Sequence, residues 1–232
     1  MHILLTRPLD DSIDLILKFG SQNHKVSHLP LLSIKKKKYY EPDYKSYKGI
    51  IFTSANALKN LNVSKIEKNI ACFCVGIATE RKAKELGFQN IFCAEGNVNN
   101  LKELIMQNFN PKNGAILYIS GEIVSYSLDK DLINENYNIK RIVNYTAIPN
   151  DKLDENFLAE IKSSVPEIVF IYSENSAKTF LKLIKKYNLD KLWMETNLMC
   201  MSEKASSVLN DFKWKKIFLF NPGEEEFLLY KI

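Results

Sequence analysis

Short apolar runs rich in β-branched and aromatic residues alternate along the chain with amphipathic stretches. In one such stretch, Leu153, Phe157, Leu158 and Ile161 recur on one face of a predicted helix that Pro166 ends. This alternation predicts an α/β protein built around parallel sheets. The ten predicted strands span residues 3–6, 26–29, 49–53, 71–75, 90–93, 115–120, 139–147, 168–172, 198–201 and 216–220.

An internal repeat carries more information than any single strand. The segment IFTSANA at 51–57 resembles FIYSENS at 170–176, so a strand, a serine and an asparagine recur at an offset of 119. The chain is therefore predicted to consist of two related α/β halves. Further matches fall at an offset of 126, for 75–76 with 201–202 and 91–92 with 217–218, and at 113, for 3–4 with 116–117, 26 with 139 and 29 with 142.

The composition is that of an ordinary globular protein, with 46% hydrophobic and 25% charged residues among 232. One large or two modest domains of this length bury enough apolar surface to fold without a metal or a disulfide. No apolar stretch approaches the roughly 20 residues of a membrane span, and the apolar run at the N-terminus is too short for a signal peptide. We therefore expect a cytoplasmic protein with no membrane partner.

The net charge of +5 favours anionic partners, of which nucleic acid and a small polycarboxylate are two classes. The longest basic run covers residues 35–38 and is followed by Tyr39 and Tyr40. We interpret it as a solvated linker or an edge strand, because no RNP, helix-turn-helix or zinc-finger pattern accompanies it. We expect no nucleic-acid partner.

Metal and cofactor chemistry finds little support. His24 and His28 lack a carboxylate or cysteine at ligand spacing. The dinucleotide, P-loop, nucleophile-elbow and HExxH motifs are missing from the chain. We expect no metal, and neither a dinucleotide nor a nucleoside triphosphate. Four cysteines lie in apolar runs without a CxxC pair, and we interpret them as buried small hydrophobic residues in a reducing compartment: Cys72, Cys74, Cys93 and Cys200.

Polar residues follow the predicted strands at their carboxyl ends. Open parallel sheets bind ligands at this edge, where helix N-termini present backbone N–H groups. Such a set suits the binding of carboxylates, although each serine is also a plausible N-cap and Arg7 is equally compatible with a structural role. The candidate substrate-binding residues are Arg7, Ser54, Gly76, Thr79, Ser120, Gly121, Ser173, Ser202 and Lys204.

Several of these segments carry a family resemblance when they are taken in order. They are LTRP at 5–8, IIFTSANA at 50–57, CVGIAT at 74–79, NYT at 144–146 and a degenerate second copy at 171–177. In this order, over residues 3–220, the chain resembles the uroporphyrinogen-III synthase family. Where relatives carry glycine-proline-threonine-threonine after the penultimate strand, this chain has SEKA at 202–205, which replaces a hydroxyl anchor by Lys204.

The resemblance implies two α/β domains, 1–34 plus 150–232 and an inserted 35–149, joined by a two-stranded hinge, with a cleft between them. It implies that hydroxymethylbilane, a linear tetrapyrrole with eight carboxylates, is cyclised to uroporphyrinogen III without a cofactor. Tyr145 matches the family's cleft tyrosine and is either a general acid toward the departing hydroxyl or a structural aromatic of the hinge strand. We expect a monomer.

One interpretation from another functional class stays open. A non-catalytic two-domain protein that binds a polycarboxylate would also carry small polar residues at its strand ends. The order of the family segments argues against it. Turnover separates the two, because a binding protein would protect the bilane without changing which isomer forms.

Overall fold

The structure, a computed structural model, describes residues 1–232. Backbone contacts divide the chain into two compact units. Unit 1 comprises Met1–Ser33 and Ile148–Ile232, and unit 2 comprises Ile34–Ala147. The expectation that residues 1–34 plus 150–232 and residues 35–149 behave as separate domains stays a prediction.

Eleven strands and nine α-helices alternate along the chain. The strands are β1 (His2–Leu5), β2 (Lys25–His28), β3 (Leu32–Lys36), β4 (Tyr47–Phe52), β5 (Ala71–Val75), β6 (Ile91–Ala94), β7 (Ala115–Gly121), β8 (Ile139–Pro149), β9 (Ile168–Ile171), β10 (Asn197–Cys200) and β11 (Lys216–Leu219). The helices are α1 (Leu9–Ser21), α2 (Ala55–Lys59), α3 (Ile77–Glu85), α4 (Val98–Asn108), α5 (Leu128–Asn134), α6 (Glu155–Ser163), α7 (Glu174–Lys186), α8 (Glu203–Leu209) and α9 (Glu225–Leu228).

The sheet of unit 1 has five strands in the order β11-β10-β9-β1-β2, all parallel. Strand β9 is buried on both faces, as expected for a continuous apolar run. Its Val169 and Ile171 pack with Phe180 of α7, whereas Phe170 faces the opposite layer with Phe19 of α1. Helices therefore cover both faces of this sheet.

The sheet of unit 2 has six strands in the order β3-β8-β7-β4-β5-β6. From β8 to β6 the neighbouring strands are parallel. Ile50 of β4 packs with Leu58 of α2 on one face, while Ile51 packs with Leu101 of α4 on the other. The core of this unit likewise lies in two layers.

The predicted internal repeat is confirmed by the strand orders. In unit 1, β10-β9-β1 corresponds to β5-β4-β7 of unit 2, with β11 and β2 in the places of β6 and β8. These are the strand pairs that the offsets 126, 119 and 113 relate. The two halves thus share one sheet topology, and the predicted α/β fold with parallel sheets is confirmed.

Some local predictions differ from the structure. Strand β3, which holds Lys35 and Lys36, lies at the edge of the six-stranded sheet, so the edge-strand interpretation holds for these two residues of the basic run. Cys72, Cys74 and Cys200 are buried as predicted, but Cys93 is partly exposed because β6 is an edge strand.

No helix of the chain has the length and apolar character needed to cross a membrane.

Candidate active site

Three of the predicted serines cap helices at the carboxyl ends of their strands. Ser54 accepts the Asn56 N–H at 3.2 Å at the start of α2. Ser173 accepts the Ser176 N–H at 3.1 Å, and Ser202 accepts the Ala205 N–H at 3.2 Å. Each hydroxyl thus serves its helix as an N-cap. The cap also aims the free N–H groups of the first turn beyond the strand end, where a carboxylate is favoured.

Gly76 begins α3 without a side-chain cap. Its φ of +79° lies in the left-handed region, and this backbone conformation explains the glycine. Packing does not explain it, because a Cβ there would meet no neighbouring atom. Thr79, in the first turn, is buried, and its N–H donates to Gly76 O at 3.1 Å. The contribution of this loop to a ligand would therefore come from main-chain N–H groups rather than from the Thr79 hydroxyl.

Tyr145, Gly121 and Ser54 lie together in unit 2. The register of the parallel pair β7 and β8 places Tyr145 opposite Gly121. A Cβ added to Gly121 would lie 2.7 Å from Tyr145 Cζ and 2.9 Å from its hydroxyl oxygen, so the ring rests directly on the Gly121 backbone. The Ser54 side chain is near enough to the phenol to influence its pKa.

The surroundings of Tyr145 act on its pKa in opposite directions. Burial raises the pKa above the ordinary value of 10.0, because it disfavours the phenolate. Hydrogen bonds to the phenolic oxygen from the Ser54 side chain and the Gly121 backbone, and the nearby charge of Arg141, lower it in part. The phenol is therefore protonated at neutral pH.

Ser120 differs from the other predicted serines, because its hydroxyl is buried and used within the protein. It donates to Gly121 O at 3.1 Å and accepts from Arg141 Nε at 2.7 Å. The same guanidinium donates to Gly121 O at 2.8 Å and lies 4.0 Å from the Asp129 carboxylate. Arg141 therefore holds the end of β7 in place beneath Tyr145.

At the matching edge of unit 1, the Arg7 guanidinium lies over the Tyr172 ring, 3.7 Å from its centroid. It also lies 3.6 Å from the carboxylate of Glu225 and 3.6 Å from the sulfur of Met201. Glu225 is almost fully buried, so Arg7 neutralises a carboxylate of its own chain. This placement favours the structural alternative for Arg7. Lys204, in contrast, is exposed.

The structure brings the predicted residues together in two groups, one in each unit. Sequence reasoning missed three residues that organise these groups: Arg141, Tyr172 and Asn144, of which Asn144 precedes Tyr145. A signal for Arg141 was present in the composition. Only three of the 32 basic residues are arginines, and two of these, Arg7 and Arg141, reach a carboxyl edge of a sheet with their guanidinium groups.

Comparison with models of known families settles the family of the chain. The model described as uroporphyrinogen-III synthase HemD matches residues 14–219, nearly the whole length. The chain belongs to the uroporphyrinogen-III synthase family. The predicted resemblance is thereby confirmed, and so is the predicted class of enzyme, a cyclising lyase of haem biosynthesis with a tetrapyrrole substrate.

Two solved structures of uroporphyrinogen-III synthases share the fold. The crystal structure of uroporphyrinogen-III synthetase from Helicobacter pylori has a TM-score of 0.64 at 18% identity, covering 100% of this chain and 99% of that one. A mutant uroporphyrinogen III synthase from Thermus thermophilus has a TM-score of 0.55 at 10% identity, covering 100% and 96%. No curated protein matches the chain in sequence. At these identities the likeness concerns the fold.

Proposed function

We propose that this member of the family acts on hydroxymethylbilane as a uroporphyrinogen-III synthase, with Tyr145 as the proton donor. The observation that carries the proposal is the environment of the phenol. Burial keeps it protonated at neutral pH, while the Ser54 side chain, the Gly121 backbone and the charge of Arg141 favour the phenolate left after proton transfer.

The reaction requires a proton for the departing hydroxyl, its return to the phenol, and a choice of the carbon that attacks. The Tyr145 phenol gives its proton to the hydroxyl of the bilane, which leaves as water, and the first ring keeps its N–H and becomes a cationic, electrophilic azafulvene. The substituted carbon of the terminal ring attacks it and forms a spirocyclic intermediate. This intermediate opens and recloses with that ring inverted, and the proton lost on closure restores the phenol. The net change is the loss of one water.

Positioning carries most of the catalysis, because the azafulvene also cyclises unaided to the uninverted isomer. We infer that main-chain N–H groups at helix starts hold the carboxylates of the bilane. In unit 2 these groups belong to the first turns of the helices that follow Ser54 and Gly76, and in unit 1 to those that follow Ser173 and Ser202. Lys204, exposed beside Ser202, adds a positive charge.

The isomer of the product tests the proposal. Purified protein without added metal, nucleotide or flavin is mixed with freshly generated hydroxymethylbilane, and the oxidised products are separated by chromatography. We expect uroporphyrinogen III, whereas a buffer control and heat-denatured protein give the type I isomer. Type I product from folded protein at high concentration would contradict the proposal. Slower loss of the bilane in that case would identify a binding protein for a polycarboxylate.

A further inference from the structure

Strand β8 has a β-bulge, in which it contains one residue more than the paired segment of β7. Its register with β7 is regular from Ile116 opposite Ile139 as far as Ser120 opposite Val143. The next pair is Gly121 with Tyr145, so Asn144 is skipped. A bulge of this kind turns the side chains that follow it toward the other face of the sheet. The direction of the Tyr145 ring therefore depends on the bulge at Asn144.

The side chain of Asn144 ties this bulge to α2. Asn144 is completely buried, and its amide nitrogen donates to Ala57 O at 2.6 Å. Ala57 belongs to α2, whose N-cap is Ser54. In a continuing helix Ala57 O would accept the N–H of Leu61, but that N–H donates to Leu58 O at 3.3 Å. Asn144 thus supplies the hydrogen-bond donor for the Ala57 carbonyl that Leu61 would supply in a longer helix.

Helix α2 needs such an anchor, because it contains five residues and a helix of this length is unstable by itself. The main chain of Asn144 is fixed as well, since its carbonyl accepts the N–H of Lys37, the residue after β3, at 2.8 Å. The bulge is thus held at its backbone by Lys37 and at its side chain by α2.

Hydrogen bonding alone makes asparagine a poor choice at this position. Its side-chain oxygen is buried without a hydrogen-bond partner. A buried acceptor without a partner lowers stability. The value of Asn144 therefore lies in where its amide places α2 and Tyr145.

We propose that Asn144 is a positioning residue for catalysis, because one side chain sets both the strand position of Tyr145 and the location of its partner Ser54. This inference rests on the proposed function for its effect on turnover. It also predicts a change at Tyr145 that is independent of turnover. If α2 is released, Ser54 moves with it, and its lowering effect on the pKa of Tyr145 is lost.

The test uses two substitutions of different size, Asn144→Ala and Asn144→Leu, so that a folding defect in one leaves the other. Asn60→Ala is the matched control. Asn60 also donates from its side-chain amide to a carbonyl of α2, Asn56 O at 3.4 Å, whereas Asn144 donates to α2 from β8. Circular dichroism first establishes that each variant is folded.

The first readout is NMR of protein labelled at tyrosine ¹³Cζ, with the Tyr145 resonance assigned by its absence from Tyr145→Phe. In both Asn144 variants we expect this resonance to move and the pKa of Tyr145 to rise, because a hydrogen bond that stabilises the phenolate is lost. Asn60→Ala should leave both unchanged. An unchanged Tyr145 resonance and pKa in the folded Asn144 variants would overturn the inference.

The second readout is a double-mutant cycle on kcat. We expect Asn144→Leu to lower kcat roughly three- to tenfold when Tyr145 is present, and less than about twofold in Tyr145→Phe. Equal losses in both backgrounds would mean that Asn144 does not act through Tyr145. If Tyr145→Phe itself has wild-type kcat, the acid role of Tyr145 fails, and the NMR result alone decides whether Asn144 positions the ring.

Discussion

The ring of Tyr145 lies so close to Gly121 that any side chain at residue 121 would overlap it, with a Cβ only 2.7 Å from Tyr145 Cζ. Gly121 has no left-handed φ, so its backbone conformation is open to other residues. Contact with Tyr145, and not conformational freedom, is the reason for glycine at this position.

Gly121→Ala should therefore displace the Tyr145 ring and lower kcat by about tenfold or more, if Tyr145 is the proton donor. The matched control is Gly20→Ala in α1, where a Cβ meets nothing within 4 Å. That variant should keep its kcat and gain roughly 0.5–1 kcal/mol of stability. Steady-state assays and urea denaturation check both. Wild-type kcat in Gly121→Ala would show that the position of the ring does not matter.

Tyr145→Phe should lower kcat without abolishing it, because the hydroxyl of the bilane also leaves spontaneously. General acids contribute roughly 10²–10⁴-fold, and we expect the low end of that range or less. Tyr137→Phe is the control. Its hydroxyl donates to Phe109 O at 2.9 Å, and Tyr137 lies before the start of β8, away from the carboxyl edge of the sheet. It should lose about 1 kcal/mol of stability and keep its kcat.

The pH dependence of kcat gives a further check on Tyr145. Because burial raises its pKa above 10.0, the phenol stays protonated throughout the neutral range. Titration of Tyr145 should therefore cause no loss of kcat across the neutral range. A fall in kcat with a midpoint near pH 8 that disappears in Tyr145→Phe would contradict a raised pKa for Tyr145.

Arg7 and Glu225 provide a test between the structural and substrate-binding alternatives for Arg7. Arg7→Ala leaves the buried Glu225 carboxylate without its partner, and such a loss costs about 3 kcal/mol of unfolding free energy. Arg7→Ala combined with Glu225→Gln should recover much of it. Lys204→Ala, at an exposed side chain, should stay within about 0.5 kcal/mol of the wild type. If Arg7→Ala is as stable as the wild type but binds the bilane more weakly, Arg7 serves the substrate instead.

Alkaline pH should destabilise the protein through its buried thiols. Burial raises the pKa of Cys72 and of Cys200 from 9.0 to about 12. Above pH 9 the unfolded chain loses these protons while the folded protein keeps them, so stability is complete below pH 9 and falls until about pH 12. Between pH 7 and pH 10 each thiol should cost about 1 kcal/mol. In Cys200→Ala the fall measured by urea denaturation should be smaller by that amount. An equal fall in both proteins would contradict the prediction.

Strand positions, the internal repeat and the capping serines were predictable from the sequence, because each depends on local patterns. Apolar runs predicted ten of the eleven strands, and the serines of IFTSANA and FIYSENS proved to be equivalent N-caps. Strand β3 was not among the predicted strands, since its lysines suit an exposed segment as well as an edge strand. Helix α9 was also not predicted, because only its contacts with unit 1 support a helix of four residues.

The arrangement of the candidate site was decided by tertiary structure. Arg7 and Met201 are 194 residues apart, and no local pattern predicts that they touch. The sequence identified Tyr145 by resemblance and Gly121 by its place after a strand, but only the register of β7 and β8 places the ring on that backbone. The bulge at Asn144, where this register shifts, is joined by a hydrogen bond to Ala57, 87 residues away. Local propensity thus determined the elements, whereas packing between distant segments determined which polar groups meet, because burial and hydrogen bonding are satisfied only in the folded chain.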